Sequence, residues 1–144
     1  MNFKKICTTV FTAILLCGTT VISPAQASED ATVPIPATSS AIWLAIGQQV
    51  AVLNKAIQTE IFDEVHHSAF AIRDLVAALP ARSGSLSHDK LAQVKKNVQF
   101  VATLAQRLDV TGDAKDKAGA ESNFKKLQGV LSAIRADYSK TDRK

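Results

Sequence analysis

Residues 62–79, FDEVHHSAFAIRDLVAAL, carry the clearest helical pattern in this chain. Apolar side chains recur every three to four positions, at Phe62, Val65, Ala69, Ile72, Val76 and Leu79. This spacing puts them on one face of a helix and leaves the charged residues on the other. A proline follows at position 80 and ends the helix. The stretch therefore predicts an amphipathic helix that packs against other helices.

Three further segments repeat this spacing, one before this helix and two after it. Ser39 or Ser40 can cap the start of the first, and Ser87 the start of the third. We expect a loop over residues 81–86 and a further turn at Gly112. The apolar stripes are Ile42, Ile46, Val50, Leu53 and Ile57; Leu91, Val94, Val98, Val101, Ala105 and Leu108; and Ala120, Phe124, Leu127, Leu131, Ile134 and Tyr138.

Strict alternation of apolar and polar residues is not sustained anywhere, so we expect no β-sheet. Four amphipathic helices joined by short loops predict an all-α fold, an antiparallel up-down-up-down four-helix bundle over residues 39–139. The junction at residues 58–62 has neither Gly nor Pro. If the chain stays helical there, the first two helices merge and the fold becomes a three-helix bundle or a dimer.

The first 27 residues have the pattern of a secretory signal peptide. Lys4 and Lys5 precede an apolar stretch over residues 6–22, and Ala25 and Ala27 supply the small residues of a cleavage site. We therefore expect cleavage after Ala27, a periplasmic product and no stable membrane insertion after cleavage. Residues 28–38 are expected to form a flexible leader, and residues 140–144 a polar tail.

Cleavage also changes the composition of the chain. The full sequence has 17 Lys and Arg against 13 Asp and Glu, a net charge of +4. Loss of Lys4 and Lys5 lowers that balance to +2, which gives no reason to expect nucleic acid as a partner. Cys7 and Cys17 and the single methionine leave with the signal peptide, so the mature chain has no sulfur ligand and no thiol nucleophile.

The candidate metal ligands are Asp63, Glu64, His66 and His67, at the start of the second helix. Residues three or four apart share a helix face, so a carboxylate and an imidazole could bind one ion together. Adjacent residues point about 100° apart, so the two histidines are not expected to bind an ion as a pair. Imidazole with carboxylate suits Zn(II), Cu(II) or Ni(II).

The predicted topology suggests further ligands. It places Asp109, Asp113 and Asp116 near the two histidines and puts His88 at the opposite end of the bundle. A purely structural interpretation stays open, since acidic residues favour the first turn of a helix without any metal.

Enzymatic chemistry finds little support in the sequence. The mature chain has no Cys nucleophile, no Gly-x-Ser-x-Gly elbow and no glycine-rich phosphate loop. Haem attachment through Cys-x-x-Cys-His is excluded for the same reason. We expect a non-enzymatic protein.

Residues 66–75, HHSAFAIRDL, in their four-helix setting resemble a group of small exported helical-bundle proteins that sometimes accompany heavy-metal efflux systems. The architecture is also similar to the soluble b-type cytochrome bundle, but the axial methionine is missing and the histidines are misplaced for haem. The first resemblance implies a role in metal handling.

Two functions are therefore expected. The first is weak binding of a divalent transition metal, or an accessory role in metal handling. The alternative is a structural or protein-interaction module of the cell envelope that docks a helix face on a partner without a metal. A pH sensor is a third interpretation, and a homodimer is compatible with each.

Overall fold

The computed structural model describes residues 33–139, and within this range the chain is all-helical, with no strand. The four long helices are α1, Ser39–Gln58; α2, Asp63–Ala78; α3, His88–Asp113; and α4, Lys117–Ser139. The prediction of four helices is confirmed, and their packing is consistent with a helical bundle. The predicted signal peptide, residues 28–32 of the predicted leader and the predicted tail lie outside the described residues.

Apolar side chains from all four helices form a single core. Most of the predicted stripe positions are buried in it, because their spacing keeps them on the inward face of each helix. The partly buried ones are Val50, Phe62, Leu91, Val98 and Tyr138. Val33, in the described part of the leader, packs against the same core. The fully buried large side chains include Ile42, Leu53, Ile57, Val65, Ile72, Leu75, Val76, Leu79, Val94, Leu108, Leu127 and Ile134.

The junction between α1 and α2 breaks the helix without a glycine or proline. Glu60 takes the left-handed conformation at φ 59°, and the amide of Ile61 donates to the carbonyl of Ala56 at 2.9 Å. The amide of Glu60 also donates to Ile57, at 3.3 Å, which completes a Schellman motif. The first two helices are separate, so the alternative of a merged helix is wrong.

The turn between α3 and α4 uses the same motif, three residues later than predicted. Lys115 is the left-handed residue at φ 53°, and the amide of Asp116 donates to Thr111 at 2.8 Å. The prediction that Gly112 marks this turn is therefore wrong. Gly112 lies inside α3, where a Cβ atom would sit 3.3 Å from Cβ and Cγ1 of Val65. Its missing side chain lets α2 approach α3 closely.

Two smaller differences concern the helix ends. α1 begins at Ser39 as predicted, but its cap is Thr38, whose hydroxyl accepts a hydrogen bond from the amide of Ala41 at 3.2 Å. The predicted loop after α2 begins instead with a short 3₁₀ helix over Pro80–Arg82. Proline suits the first turn of such a helix, since the amide hydrogen it lacks has no partner there.

Contacts at the two ends of the molecule show which helix termini meet. At one end, Nζ of Lys117 at the start of α4 lies 3.0 Å from Oε1 of Glu60 in the α1–α2 junction. At the other, the ring of Trp43 near the start of α1 packs edge-on against Tyr138 near the end of α4. None of the helices within residues 33–139 combines the length and hydrophobicity needed to cross a membrane.

Candidate functional site

His66 reaches from α2 to α3, where its Nδ1 atom lies 2.6 Å from Oδ1 of Asp109. The two side chains keep 37% and 26% of their surface exposed, so the contact sits at the edge of the core. The close packing of Gly112 on Val65 explains why these two side chains meet. Asp109 lies one turn before Gly112, and His66 follows Val65, so the same approach of the two helices brings this pair together.

An ionised carboxylate accepts hydrogen bonds only, so Nδ1 of His66 donates to Asp109. This bond fixes the position of the hydrogen in the neutral ring. It also fixes the plane of the imidazole, which packs edge-on against Phe70 with ring centres 4.7 Å apart. The guanidinium of Arg73 in turn lies 4.2 Å from the centre of the Phe70 ring. The imidazole is held from two sides.

His67 stands beside His66, with the ring centres 5.2 Å apart and the planes nearly perpendicular at 87°. Helix geometry separates the two Cβ atoms by about 100°. The side chains nevertheless turn their rings toward each other. The two imidazoles are therefore in direct contact, although the sequence analysis expects them to point apart.

The predicted carboxylates at the start of α2 point to different places. Asp63 is exposed and borders a depression that also contains Glu60 and Lys115, beside the turn between α3 and α4. Glu64 is exposed and borders another depression, with Lys55 of α1. Each carboxylate thus has a basic residue in its own hollow.

Of the three acids that the predicted topology places near the histidines, Asp109 makes direct contact. Asp113 is exposed at the end of α3. Asp116 serves the start of α4 instead, because its Oδ1 accepts the amide hydrogen of Gly119 at 2.9 Å. A Cβ atom at Gly119 would lie 2.2 Å from Oδ2 of Asp116. Glycine therefore makes room for this capping carboxylate.

Within residues 33–139, no three side chains among His, Cys, Asp and Glu lie close enough together to hold a metal ion. What the structure does bring together is the pair of imidazoles, with Asp109 behind one of them. Such a pair can bind an ion that takes its other ligands from water or from a second molecule. The predicted ligand set of Asp63, Glu64, His66 and His67 stays a prediction.

A second polar group lies at the opposite end of the molecule and was not found from the sequence. The hydroxyl of Tyr138 is hydrogen-bonded to the buried hydroxyl of Ser83, which lies 2.5 Å from the carbonyl oxygen of Leu79. These two hydrogen bonds link the end of α4 to the segment after α2. His88 lies elsewhere, fully exposed at the start of α3.

Trp43, the sole tryptophan of the chain, is 9% exposed and packs in the core. Its ring centre is 5.9 Å from that of Tyr138, and the guanidinium of Arg135 lies 5.2 Å above it.

Comparison of the chain with protein-family models, with curated proteins and with solved structures finds no match.

Proposed function

We propose that this chain is a non-enzymatic, exported helical-bundle protein that binds one divalent transition metal ion weakly through His66 and His67. The observation that carries the proposal is the 2.6 Å contact between Nδ1 of His66 and Oδ1 of Asp109. Histidines that bind metals commonly donate their other ring hydrogen to a carboxylate, which orients the ring and raises its basicity. With the hydrogen on Nδ1, the lone pair that a metal needs is on Nε2.

The position of His67 supports a shared ion. Two imidazoles joined to one ion by metal–nitrogen bonds of about 2 Å have ring centres roughly 5 to 6 Å apart. The rings of His66 and His67 have this separation. Zn(II), Cu(II) and Ni(II) all accept imidazole ligands, and water or a second molecule would complete the coordination. Two protein nitrogens make an open, low-affinity site rather than a closed four-ligand centre.

We also infer the antiparallel up-down-up-down order for the four helices. The contact of Lys117 with Glu60 and that of His66 with Asp109 join, at one end, the ends of α1 and α3 to the starts of α2 and α4. The contacts of Tyr138 with Trp43 and with Ser83 join the opposite termini. This order supports the placement of a single site at one end of the bundle.

Calorimetric titration of the untagged mature chain, residues 28–144, with Zn(II), Cu(II) and Ni(II) tests the proposal. We expect one binding event, abolished in the double variant His66→Ala/His67→Ala. Asp109→Asn should weaken binding by about 10- to 100-fold, because the ring loses its orienting carboxylate. His88→Ala is the matched control, since it removes an exposed histidine elsewhere and should leave the titration unchanged.

Heat that survives the double variant, or that falls equally in His88→Ala, would contradict metal binding at this site. The alternative, an envelope interaction module without a metal, would then be favoured.

A further inference from the structure

An open groove runs between α1 and α4, and it is independent of the metal site. It has a volume of about 230 Å³ and is lined mainly by Trp43, Ile46 and Val50 of α1 and by Gln128, Leu131 and Arg135 of α4. Two of the side-chain contacts between these helices lie toward its ends. Trp43 meets Tyr138 at one end, and the amide of Gln58 donates to Glu121 at the other.

Gly47 lies at this groove, and nothing inside the molecule requires a glycine there. A Cβ atom at this position would meet no other atom within 4 Å. Glycine in a helix interior nevertheless disfavours the helix relative to alanine. Leu44, three residues earlier on the same surface, is 68% exposed. The apolar floor of the groove thus continues across Gly47 to an exposed leucine, and the bare backbone allows a second chain to approach closely.

Charge indicates what kind of chain fits. α1 and α4 together carry five basic and two acidic side chains, whereas α2 and α3 carry five basic and six acidic ones. Both acids of α4 lie toward its ends, where Glu121 accepts a hydrogen bond from Gln58 and Asp137 occupies the last turn. Arg135 is the charged residue that lines the groove itself. An apolar floor under basic charge complements an apolar stripe flanked by carboxylates.

We propose that this groove binds an acidic amphipathic helix of another protein. The lining from Trp43 to Val50 spans about 10 Å, or two helical turns, which suits anchors at positions i and i+3 or i+4 of the bound helix. A carboxylate one turn further along pairs with Arg135. Trp43 and Arg135 lie together at one end of the groove. Tryptophan and arginine are among the residue types that contribute most strongly to binding at protein interfaces.

Trp43 is the only tryptophan in the chain and reports directly on the groove. The probes are two synthetic 18-residue helical peptides without tryptophan. They share one leucine stripe, and their polar faces carry either glutamate and glutamine or lysine and glutamine. Titrations are done in EDTA, so that failure of metal binding at His66 leaves this test unaffected. We expect the glutamate peptide to change the Trp43 emission saturably and to bind at least about tenfold more tightly than the lysine peptide.

Gly47→Leu should abolish this binding, because its side chain would extend into the groove from a position where a Cβ atom meets open space. Gly129→Leu is the matched control. Gly129 is also an exposed helical glycine with nothing within 4 Å of a Cβ atom, but it does not line the groove. Arg135→Gln should reduce the preference for the glutamate peptide, and circular dichroism establishes that each variant is folded.

Equal binding of both peptides, no binding of either, retained binding in Gly47→Leu or equal loss in Gly129→Leu would each overturn the proposal. Sedimentation of the peptide-free protein tests one competing occupant. Concentration-dependent dimerisation that disappears in Gly47→Leu would assign the groove to a second copy of this chain and would likewise overturn the proposal.

Discussion

His66 and Asp109 lie 43 positions apart in the sequence, yet Nδ1 of one and Oδ1 of the other are 2.6 Å apart. The contact joins α2 to α3 at the edge of the core, next to the place where Gly112 packs on Val65. It therefore has two separable roles. It orients the His66 ring, and it links two helices.

The structural role of this pair can be measured by a double-mutant cycle. His66→Ala, Asp109→Ala and the double variant should show a coupling energy of about 0.3 to 1 kcal/mol in urea unfolding, because the pair keeps partial contact with water. Asp113→Ala, four residues later on the same helix, is the control and should change stability little. A coupling energy indistinguishable from zero would show that the contact does not hold the helices together in solution.

The sequence predicted Asp109 as a neighbour of the histidines, but it did not separate it from Asp113 and Asp116. The reason lies in how α3 ends. Its last turn is set by a Schellman motif with Lys115 in the left-handed position, where sequence patterns anticipate glycine. Because Gly112 lies inside the helix, Asp109 one turn earlier faces α2. Asp116 lies after the turn and caps the start of α4.

The apolar stripes were predictable because spacing alone sets which face of a helix is buried. The ring-to-ring contact of His66 with His67 was not, since it depends on the χ angles of both side chains. The groove between α1 and α4 could not be predicted from the sequence either. Its existence depends on how the last helix packs against the first, and no local pattern encodes that packing.

Substitution of two helical glycines, Gly129 and Gly112, should change the free energy of unfolding in opposite directions. Gly129→Ala should raise the free energy of unfolding by about 1 kcal/mol, because the new methyl group meets open space and the helix propensity improves. Gly112→Val should lower it by about 1 to 3 kcal/mol, since the larger side chain pushes against Val65. Urea unfolding of both variants tests this. Two changes of the same sign would contradict the assigned packing.

Export can be tested on the full chain in a Gram-negative host. We expect the periplasmic fraction to contain a protein whose mass corresponds to a start at Ser28. Leu15→Asp/Leu16→Asp should block export, because two charges interrupt the apolar stretch that the export machinery requires. Leu15→Ile/Leu16→Ile keeps that stretch apolar and should be processed normally. A periplasmic product that still begins at Met1 would disprove the cleavage site.

Tyr138 should make the fold sensitive to alkaline pH. Burial raises the pKa of the Tyr138 phenol above its ordinary value of 10.0; the hydrogen bond with Ser83 offsets part of this rise, and the charge of Asp137 adds to it. In the unfolded chain the phenol ionises near its ordinary pKa, whereas in the folded chain it keeps its proton to higher pH. The stabilisation by the neutral phenol is therefore complete below about pH 10 and is lost as the pH rises through the folded-state pKa.

Tyr138→Phe separates this effect from the titration of lysines in the same range. At neutral pH the variant should lose about 1 kcal/mol of stability, because the hydrogen bond to Ser83 is gone. Above about pH 10 its free energy of unfolding should fall less steeply than that of the wild type. Tyr138 is the only tyrosine in the chain, so tyrosinate absorbance reports its ionisation without overlap from other tyrosines. Parallel pH profiles for the two proteins, or a tyrosinate signal that appears at the ordinary pKa while the protein is still folded, would show that the phenol is not buried against Ser83.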